Sequence, residues 1–511
     1  MPATDPARRP ILSYRSVWES LTRQRISRPS PPTTLAPIVQ NTATSAPTPA
    51  PTPEDKPMTA REKRGMAAIM IAVSLATLDT AIANTALPAI AADIHATPAA
   101  SVWIINAYQL AMVATLLPFA ALGGKVGHRR VYLGGLVVFI LSSVVCAMAW
   151  SLPSLAAARV LQGIGAAAVM SVNAALIGAI FPPHRMGRGL GLNALVVGVS
   201  FAVGPTVASI ILSMGPWQWL FAVNLPIGLL AMAIAWKSLP QTPRSQHGFD
   251  PVAAILNVIT FASLIFALGE GVQRAPTEHV AIAAAVFVVA LLLMLRRERG
   301  HPAPMLPVDL FKRRMFALST LTAICSFAAQ GLAFVSLPFY FEHVLGRNPV
   351  ETGFLMTPWS AVVALMAPIA GRMSDKYPPG LLGGVGLAVM CAGMASLAMM
   401  PADASALDIG IRMSICGAGF GFFQSPNLKA LMSSAPRERA GGASGVIATA
   451  RLLGQATGAG LVALSFGIAG DHGPTLALAL GAGFAGVAAI ASGLRLITNE
   501  SEGAAVQPAS K

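Results

Sequence analysis

The chain has 511 residues, 54% of them hydrophobic and only 11% charged, with a formal net charge of +14 and a mean hydropathy of +0.64. Soluble domains carry about 25% charged residues, so this composition excludes an ordinary soluble domain and points to an integral membrane protein. The positive charge does not require a nucleic-acid partner, because Lys and Arg fall in short loops and in the N-terminal arm, where membrane topology accounts for them.

Residues 1–64 read as a Pro-rich, disordered cytoplasmic arm. The stretch TTLAPIVQNTATSAPTPAPTPEDKP is low-complexity sequence that cannot build a core. The preceding RRPILSYRSVWESLTRQRISRPS is rich in Arg and poor in acids, as transit-type and membrane-surface segments are. A disordered arm, or a true start nearer Met58 or Met66, accounts for it more simply.

From Met66 onward fourteen apolar runs approach the roughly 20 residues that a membrane helix needs. They fall at 66–88, 102–122, 131–150, 153–180, 189–213, 218–238, 251–270, 279–295, 315–341, 353–373, 381–400, 407–432, 441–469 and 474–497. Basic residues mark alternate loops: Lys125, Arg129 and Arg130 after span 2, Arg185 and Arg188 after span 4, Arg244 after span 6, Arg296, Arg297, Lys312 and Arg313 after span 8, Arg372 and Lys376 after span 10, and Arg437 and Arg439 after span 12. The other loops hold few, Arg274 and Arg347 being the exceptions. This alternation predicts an even number of spans with both termini cytoplasmic.

The predicted fold is an all-α integral membrane protein. A six-helix bundle occupies 65–240, an inserted helix pair 241–300, a second six-helix bundle 301–497, and a cytoplasmic tail 498–511. A weak repeat supports two related bundles. Span 4, ARVLQGIGAAAVMSVNAAL, and span 12, IRMSICGAGFGFFQSPNLKAL, each open near an arginine and continue through G-x-G to S-x-N. Six-helix repeats are a transporter habit.

Within the spans the chemistry is sparse. Asp79 is almost the only carboxylate deep in the membrane; Glu270 and Glu342 stand at the outer ends of spans 7 and 9, where water reaches them, and the remaining acids lie in loops or at span ends. A charged Asp at a helix centre costs about 2.5–3.5 kcal/mol on insertion scales. Asp79 is therefore either a proton switch, ionised facing solution and neutral when occluded, or a hydrogen-bond partner of Thr80, Asn84 or Arg159. Arg159 cannot shed its charge and needs a carboxylate, carbonyls or water; it either tunes a nearby acid or ties helices together. The four cysteines show no metal-ligand spacing and read as small packing residues. No catalytic set or phosphate loop is present, so an enzyme is not expected.

The motifs LDTAIANTALPAI, WIINAYQLAMVATLLPFAALGGKVGHRRVYLGGL, LAAARVLQGIGAAAVMSVNAAL, FAVGPTVASIIL, WQWLFAVNLPIGL, FGFFQSPNLKALM and ASGVIATARLLGQATGAGLVA follow one another in order. Together they resemble the major facilitator superfamily, and more narrowly its fourteen-helix drug:proton antiporters of the quaternary-ammonium and methyl viologen efflux type. The resemblance covers about residues 60–497 and omits the arm. It implies a monomeric, multi-pass exporter in the plasma (inner) membrane. Such an exporter takes lipophilic cationic drugs or dyes from the cytoplasm by alternating access, with no cofactor and the proton gradient as its energy source. Export of one specific metabolite is the alternative; a non-transporting receptor is a third reading.

By the same resemblance Asp79 and Arg159 carry proton coupling. Gly204 and Pro205 form the kinked antiporter motif, where small residues keep two helices close. The loop after span 2 keeps Gly127, Arg129 and Arg130 but has Gly124 where the family has an acid, while the loop after span 10 keeps Gly371 and Asp375. A charged latch is thus expected weakened in the first half and retained in the second. Asn84, Tyr108, Gln162, Trp359, Phe422, Phe423, Gln424 and Asn427 are the expected cavity residues, with ring faces for a flat cation. Trp103, Trp217 and Trp219 are expected in the interfacial belt.

Overall fold

A computed structural model describes residues 58–181, 186–242, 244, 250–270, 277–298, 308–435 and 440–505. Among them the chain is helical, with no strand and fourteen helices of 15 residues or more. These are α1 (Ala60–Thr85), α2 (Trp103–Val126), α3 (His128–Ala147), α4 (Leu152–Ile180), α5 (Met186–Met214), α6 (Asn224–Ser238), α7 (Pro251–Glu270), α8 (Thr277–Glu298), α9 (Arg314–Phe339), α10 (Pro349–Met373), α11 (Pro379–Ala398), α12 (Ala406–Ser434), α13 (Ala440–Ala469) and α14 (Gly473–Ala505). Twelve stretches are long and apolar enough to cross a membrane; the last, Gly442–Leu496, takes in both α13 and α14, and α7 adds the shorter Pro251–Leu264. The arm lies outside the described residues as far as residue 57, and the tail from 506.

The helices outrun the hydropathy signal where a polar cap extends them. α1 begins at Ala60 rather than 66, because Thr59 and Glu62 form a reciprocal cap: the Glu62 N–H donates to Thr59 Oγ1 and the Thr59 N–H to Glu62 Oε2 at 2.7 Å. Arg61, Lys63 and Arg64 thus sit on a helical turn outside the apolar run. At its other end α1 breaks at Ala86, and Pro88 starts the short helix Leu87–Asp93.

Helix pairing repeats with a period of eight. In the first half α1 packs on α5 and α6, α4 on α2 and α3, and α3 on α6; in the second half α9 packs on α13 and α14, α12 on α10 and α11, and α11 on α14. The halves meet along two seams, α5 with α10 and α2 with α13. The extra pair is attached at one of these: α7 packs against α2 and α13, and α8 against α7. On α8, Ile282, Val286, Val289, Leu292 and Leu293 are exposed, which suits lipid and not water.

The bundle is closed at one end. We call the end where α1 starts the near face and the end where it finishes the far face. One apolar cluster toward the far face draws on both halves, joining Ile82, Leu87 and Ile90 to Leu332, Phe339, Val462 and Ala463. Two clusters toward the near face are each built within one half, Met66, Val73, Tyr132 and Leu176 in the first and Leu310, Phe316, Leu431 and Val446 in the second, while a third joins Leu117 of α2 to Leu452 of α13. The α5–α10 seam is tight at the far face. A Cβ on Gly353 would overlap Ser209 and the Pro205 carbonyl, and Thr206 and Thr357 hydroxyls are 2.8 Å apart. Gly204 is equally constrained, since a Cβ there would overlap Ala81.

At the near face the two loop motifs differ. Gly127 has φ +102°, which favours glycine, and lets the chain turn directly into α3. Arg129 donates to the Trp236 carbonyl and Arg130 is exposed. After α10, Asp375 pairs with Lys429 at 2.6 Å, and Lys429 also donates to the Ser374 carbonyl at 2.8 Å. Gly371 has room, with Ser425 as its nearest neighbour at ordinary contact distance.

Adjacent glycines on α3 test the packing. A Cβ on Gly135 would fall 2.5 Å from Ala168 Cβ, whereas Gly134 is exposed with nothing within 4 Å. Gly135→Ala is expected to destabilise by about 1–3 kcal/mol through overpacking. Gly134→Ala should be neutral or stabilising by up to about 1 kcal/mol, because alanine is the better helix former. Thermal denaturation of the two purified variants in detergent checks the contrast.

Candidate functional site

Five helices converge on Asp79. It lies in the last two turns of α1, facing Arg159 two turns into α4, Ser143 near the end of α3, Asn224 at the start of α6 and Tyr108 on α2. Asp79 is 2% exposed and Arg159 is fully buried. Their ion pair is 2.5 Å long, from Arg159 Nη1 to Asp79 Oδ2. The other carboxylate oxygen accepts from Gln162 Nε2 at 2.9 Å and Asn224 Nδ2 at 2.8 Å. Gln162 Nε2 also donates to Ser143 Oγ at 2.9 Å, and Arg159 Nη1 to Gln162 Oε1 at 2.6 Å.

The guanidinium has further contacts, while its Nη2 has no hydrogen-bond partner among the described residues. Arg159 Nε donates to the Ile104 carbonyl at 3.2 Å, and its plane lies 4.1 Å from the Tyr108 ring centroid and 5.5 Å from that of Phe221. Buried charges persist only when paired and hydrogen-bonded, and this pair is both. The carboxylate has three donors and the guanidinium two acceptors besides the carboxylate, plus two ring faces. Of the partners the sequence offered to Asp79, Arg159 is the one it meets. The Thr80 hydroxyl instead donates to the Ala76 carbonyl at 3.2 Å, and Asn84 is buried with Oδ1 unpartnered.

Beside the pair, two small adjoining cavities lie between the halves and share Phe201, Arg451 and Gln455. The first is walled by Thr77, Thr80, Tyr108 and Gln109, the second by Phe327, Gln330, Trp359, Ser360, Phe420 and Gln424. Tyr108 therefore has two neighbours: Arg159 against its ring and the cavity at its edge. Among the described residues no Asp or Glu lines either cavity.

The structure sorts the expected cavity residues. Tyr108, Trp359 and Gln424 line the cavities. Gln162 does not; it is fully buried in the hydrogen-bond shell of the ion pair. Phe423 lies in the core of the second half, 6.1 Å from the Phe420 ring and close to Gly383 of α11. Asn427 points toward α9 and α14, donating to the Ser319 carbonyl and accepting from Arg495 at 2.7 Å. Phe422 is half-buried away from both cavities. Phe420 and Gln424, four residues apart, share one face of α12 and position 422 lies opposite, whereas 423 and 427 fall on the same side as Phe420 and are taken up by neighbouring helices, Phe423 against Gly383 and Asn427 with Ser319 and Arg495.

Some expectations at the ends of helices also change. Trp217 is buried and donates to Asp93 at 2.7 Å, so it caps a helix junction instead of sitting in the belt; Trp219 is exposed, as a belt residue is. Glu342 is half-buried with Oε1 unpartnered, and the Glu270 side chain lies outside the described residues. Ser143, Asn224 and Arg451 were not singled out from the sequence. The test that marked Arg159, an arginine inside an apolar run, applies equally to Arg451 in ASGVIATARLLGQ.

Comparison with known proteins agrees with this architecture. Residues 69–459 match the family model of the Major Facilitator Superfamily. An uncharacterized transporter of Escherichia coli K12, YebQ, is 50% identical over 84% of this chain and 94% of its own length. The riboflavin transporter RibZ of Clostridioides difficile is 30% identical over 76% of this chain and 85% of its own. The multidrug resistance protein Stp of Mycobacterium tuberculosis is 30% identical over 75% of this chain and 71% of its own.

Breaking the buried pair from one side tests its energetics. Arg159→Met leaves Asp79 without a counterion and is expected to cost about 3–5 kcal/mol. The double variant Asp79→Asn/Arg159→Met should recover most of that loss, since no charge is then stranded. Thermal denaturation of the three proteins in detergent reads the coupling.

Proposed function

The chain belongs to the major facilitator superfamily and is a multi-pass membrane transporter; from that premise we propose that it is a proton-coupled antiporter of the multidrug-efflux type. It exports small lipophilic aromatic molecules, of the size of drugs and dyes, out of the cytoplasm by alternating access. The observation that carries this reading is the placing of Tyr108 between the Asp79–Arg159 pair and the cavity.

The near face, with its basic loops, faces the cytoplasm in this reading, and the membrane is the plasma (inner) membrane. With the far face closed, the cavity is reached from the cytoplasmic side. When Asp79 takes up a proton, the ion pair dissolves into a neutral acid and a lone guanidinium. Gln162, Asn224 and Tyr108, which all touch that pair, must then rearrange. Movement of the Tyr108 ring changes the cavity wall, so proton and substrate compete for one arrangement of the first half. A proton entering across 100 mV supplies about 2.3 kcal/mol.

The expected lipophilic cation finds ring faces in Trp359, Phe327 and Phe420 but no carboxylate among the lining residues. The lipophilic, aromatic part of that expectation is what the lining residues support.

Reconstituted vesicles test the coupling. The dye ethidium and the aromatic carboxylate 1-naphthaleneacetate are offered under an imposed pH gradient. At least one is expected to move against its own gradient, and this movement should vanish on adding a protonophore and in Asp79→Asn. Movement indifferent to the gradient, or a wild-type rate in Asp79→Asn, removes proton coupling.

The α5–α10 seam tests alternating access. Thr206→Cys/Thr357→Cys, in a chain whose own four cysteines are replaced by alanine, should crosslink under mild oxidation. Transport should stop when the crosslink forms and return on reduction.

A further inference from the structure

The cavity between the halves holds a cation with no protein counterion. Arg451 projects from α13 into the space shared by both cavities. It is half-buried, and among the described residues no hydrogen bond or ion pair joins it to another. Among the lining residues its one ionisable neighbour is Tyr108, an uncharged phenol. A guanidinium does not deprotonate in proteins and is expensive to strand inside a membrane. The contrast with Arg159 is direct, since that residue has a carboxylate, a carboxamide and a backbone carbonyl.

A second observation points the same way. Trp359 is fully buried in the wall of the larger cavity, and its indole Nε1, which can only donate, has no hydrogen-bond partner; Ser360 Oγ beside it also has none. Groups of this kind are normally satisfied. An unpaired guanidinium and an unpaired donor-only indole on one cavity, with no Asp or Glu lining it, describe a receptor for an acceptor.

We propose that this cavity binds an aromatic molecule carrying one carboxylate, with Arg451 as its anchor. The Arg fork matches a carboxylate bidentately. Trp359, Phe327 and Phe420 offer ring faces to the aromatic body, and the carboxamides of Gln330, Gln424 and Gln455 reach its polar edge. This rests on the exporter reading and fixes the sign of the substrate's charge within it. The sign also alters the energetics. Exchanging one monocation for one proton moves no net charge. Exchanging one monoanion for one proton moves two, so an interior-negative potential drives that exchange directly.

The test uses one ring system in three charge states: 1-naphthaleneacetate, its neutral amide 1-naphthaleneacetamide, and 1-naphthylmethylammonium. Binding to the purified full chain is measured by calorimetry, with no gradient present. The carboxylate is expected to bind best, and added salt should weaken it. Arg451→Gln should weaken carboxylate binding about tenfold or more, the loss expected for a charge-assisted hydrogen bond. Arg451→Lys should retain part of the affinity. Gln424→Glu, which leaves Arg451 in place and puts a carboxylate in the same cavity to pair with it, should abolish the preference for the carboxylate.

In vesicles, a valinomycin-set, interior-negative potential should accelerate carboxylate export. The proposal is overturned if the carboxylate binds no better than the amide or the ammonium, or if Arg451→Gln leaves the preference unchanged. Because binding is read without a gradient, that failure is separate from failure of the exporter reading, which shows as dye movement insensitive to protonophore and to Asp79→Asn.

Discussion

The Asp79–Arg159 ion pair is the constraint around which the first half is arranged. Five of its six helices supply an atom or a ring to it, and each contact answers a need of one of the two charges. A buried pair of this kind contributes little net stability, because desolvation offsets the attraction. What it contributes is specificity: with either partner uncompensated, the helices have no reason to keep this register. The second half buries an arginine too: Arg495 of α14 donates to Ser319, Asn427 and Ser492, beside an apolar and aromatic core around Phe334, Trp359 and Phe420. The unpaired cation of that half, Arg451, stands in the cavity itself. Tyr108 adjoins both the buried pair and the cavity that Arg451 lines.

The helical membrane architecture was legible because hydropathy over about 20 residues reports directly on lipid burial. The fourteen runs match the fourteen helices, and their ends differ where polar caps such as Thr59 and Glu62 extend a helix beyond its apolar part. Asp79 and Arg159 were legible for a related reason, since a charge inside such a run stands out. Their meeting was not, because 80 residues separate them and no local rule connects them. The cavity lining of α12 was not legible, because helical phase alone does not separate Phe423 and Asn427 from Phe420 and Gln424. Three of its residues carried suitable chemistry, and only packing could show that α12 turns Phe420 and Gln424 inward. Arg451 was legible and was passed over within a motif taken as a family marker.

Eightfold repetition of the pairing pattern makes the departures from symmetry informative. Counted from the S-x-N sequence, Lys429 of α12 corresponds to Ala175 of α4, just as Asp375 corresponds to Gly124. Both members of the near-face ion pair are therefore missing together in the first half. There, α2 instead comes close to α4 through Gly123, where a Cβ would meet Val172. An exposed ion pair is worth little, so replacing it by close packing costs the fold little. It does change how that end of the first half responds to its surroundings, because packing is indifferent to salt and an exposed pair is not.

The inserted pair α7–α8 has a consequence beyond helix count. α7 lies across the α2–α13 seam, where Asn257 donates to the Ala114 carbonyl at 2.9 Å, and α8 covers α7 in turn. The opposite seam, between α5 and α10, has no comparable cover among the described residues. A molecule dissolved in the bilayer therefore meets a wall on one flank and a bare joint on the other. For lipophilic cargo this makes the protein one-handed: its side door, if cargo enters from lipid, is on the α5–α10 flank.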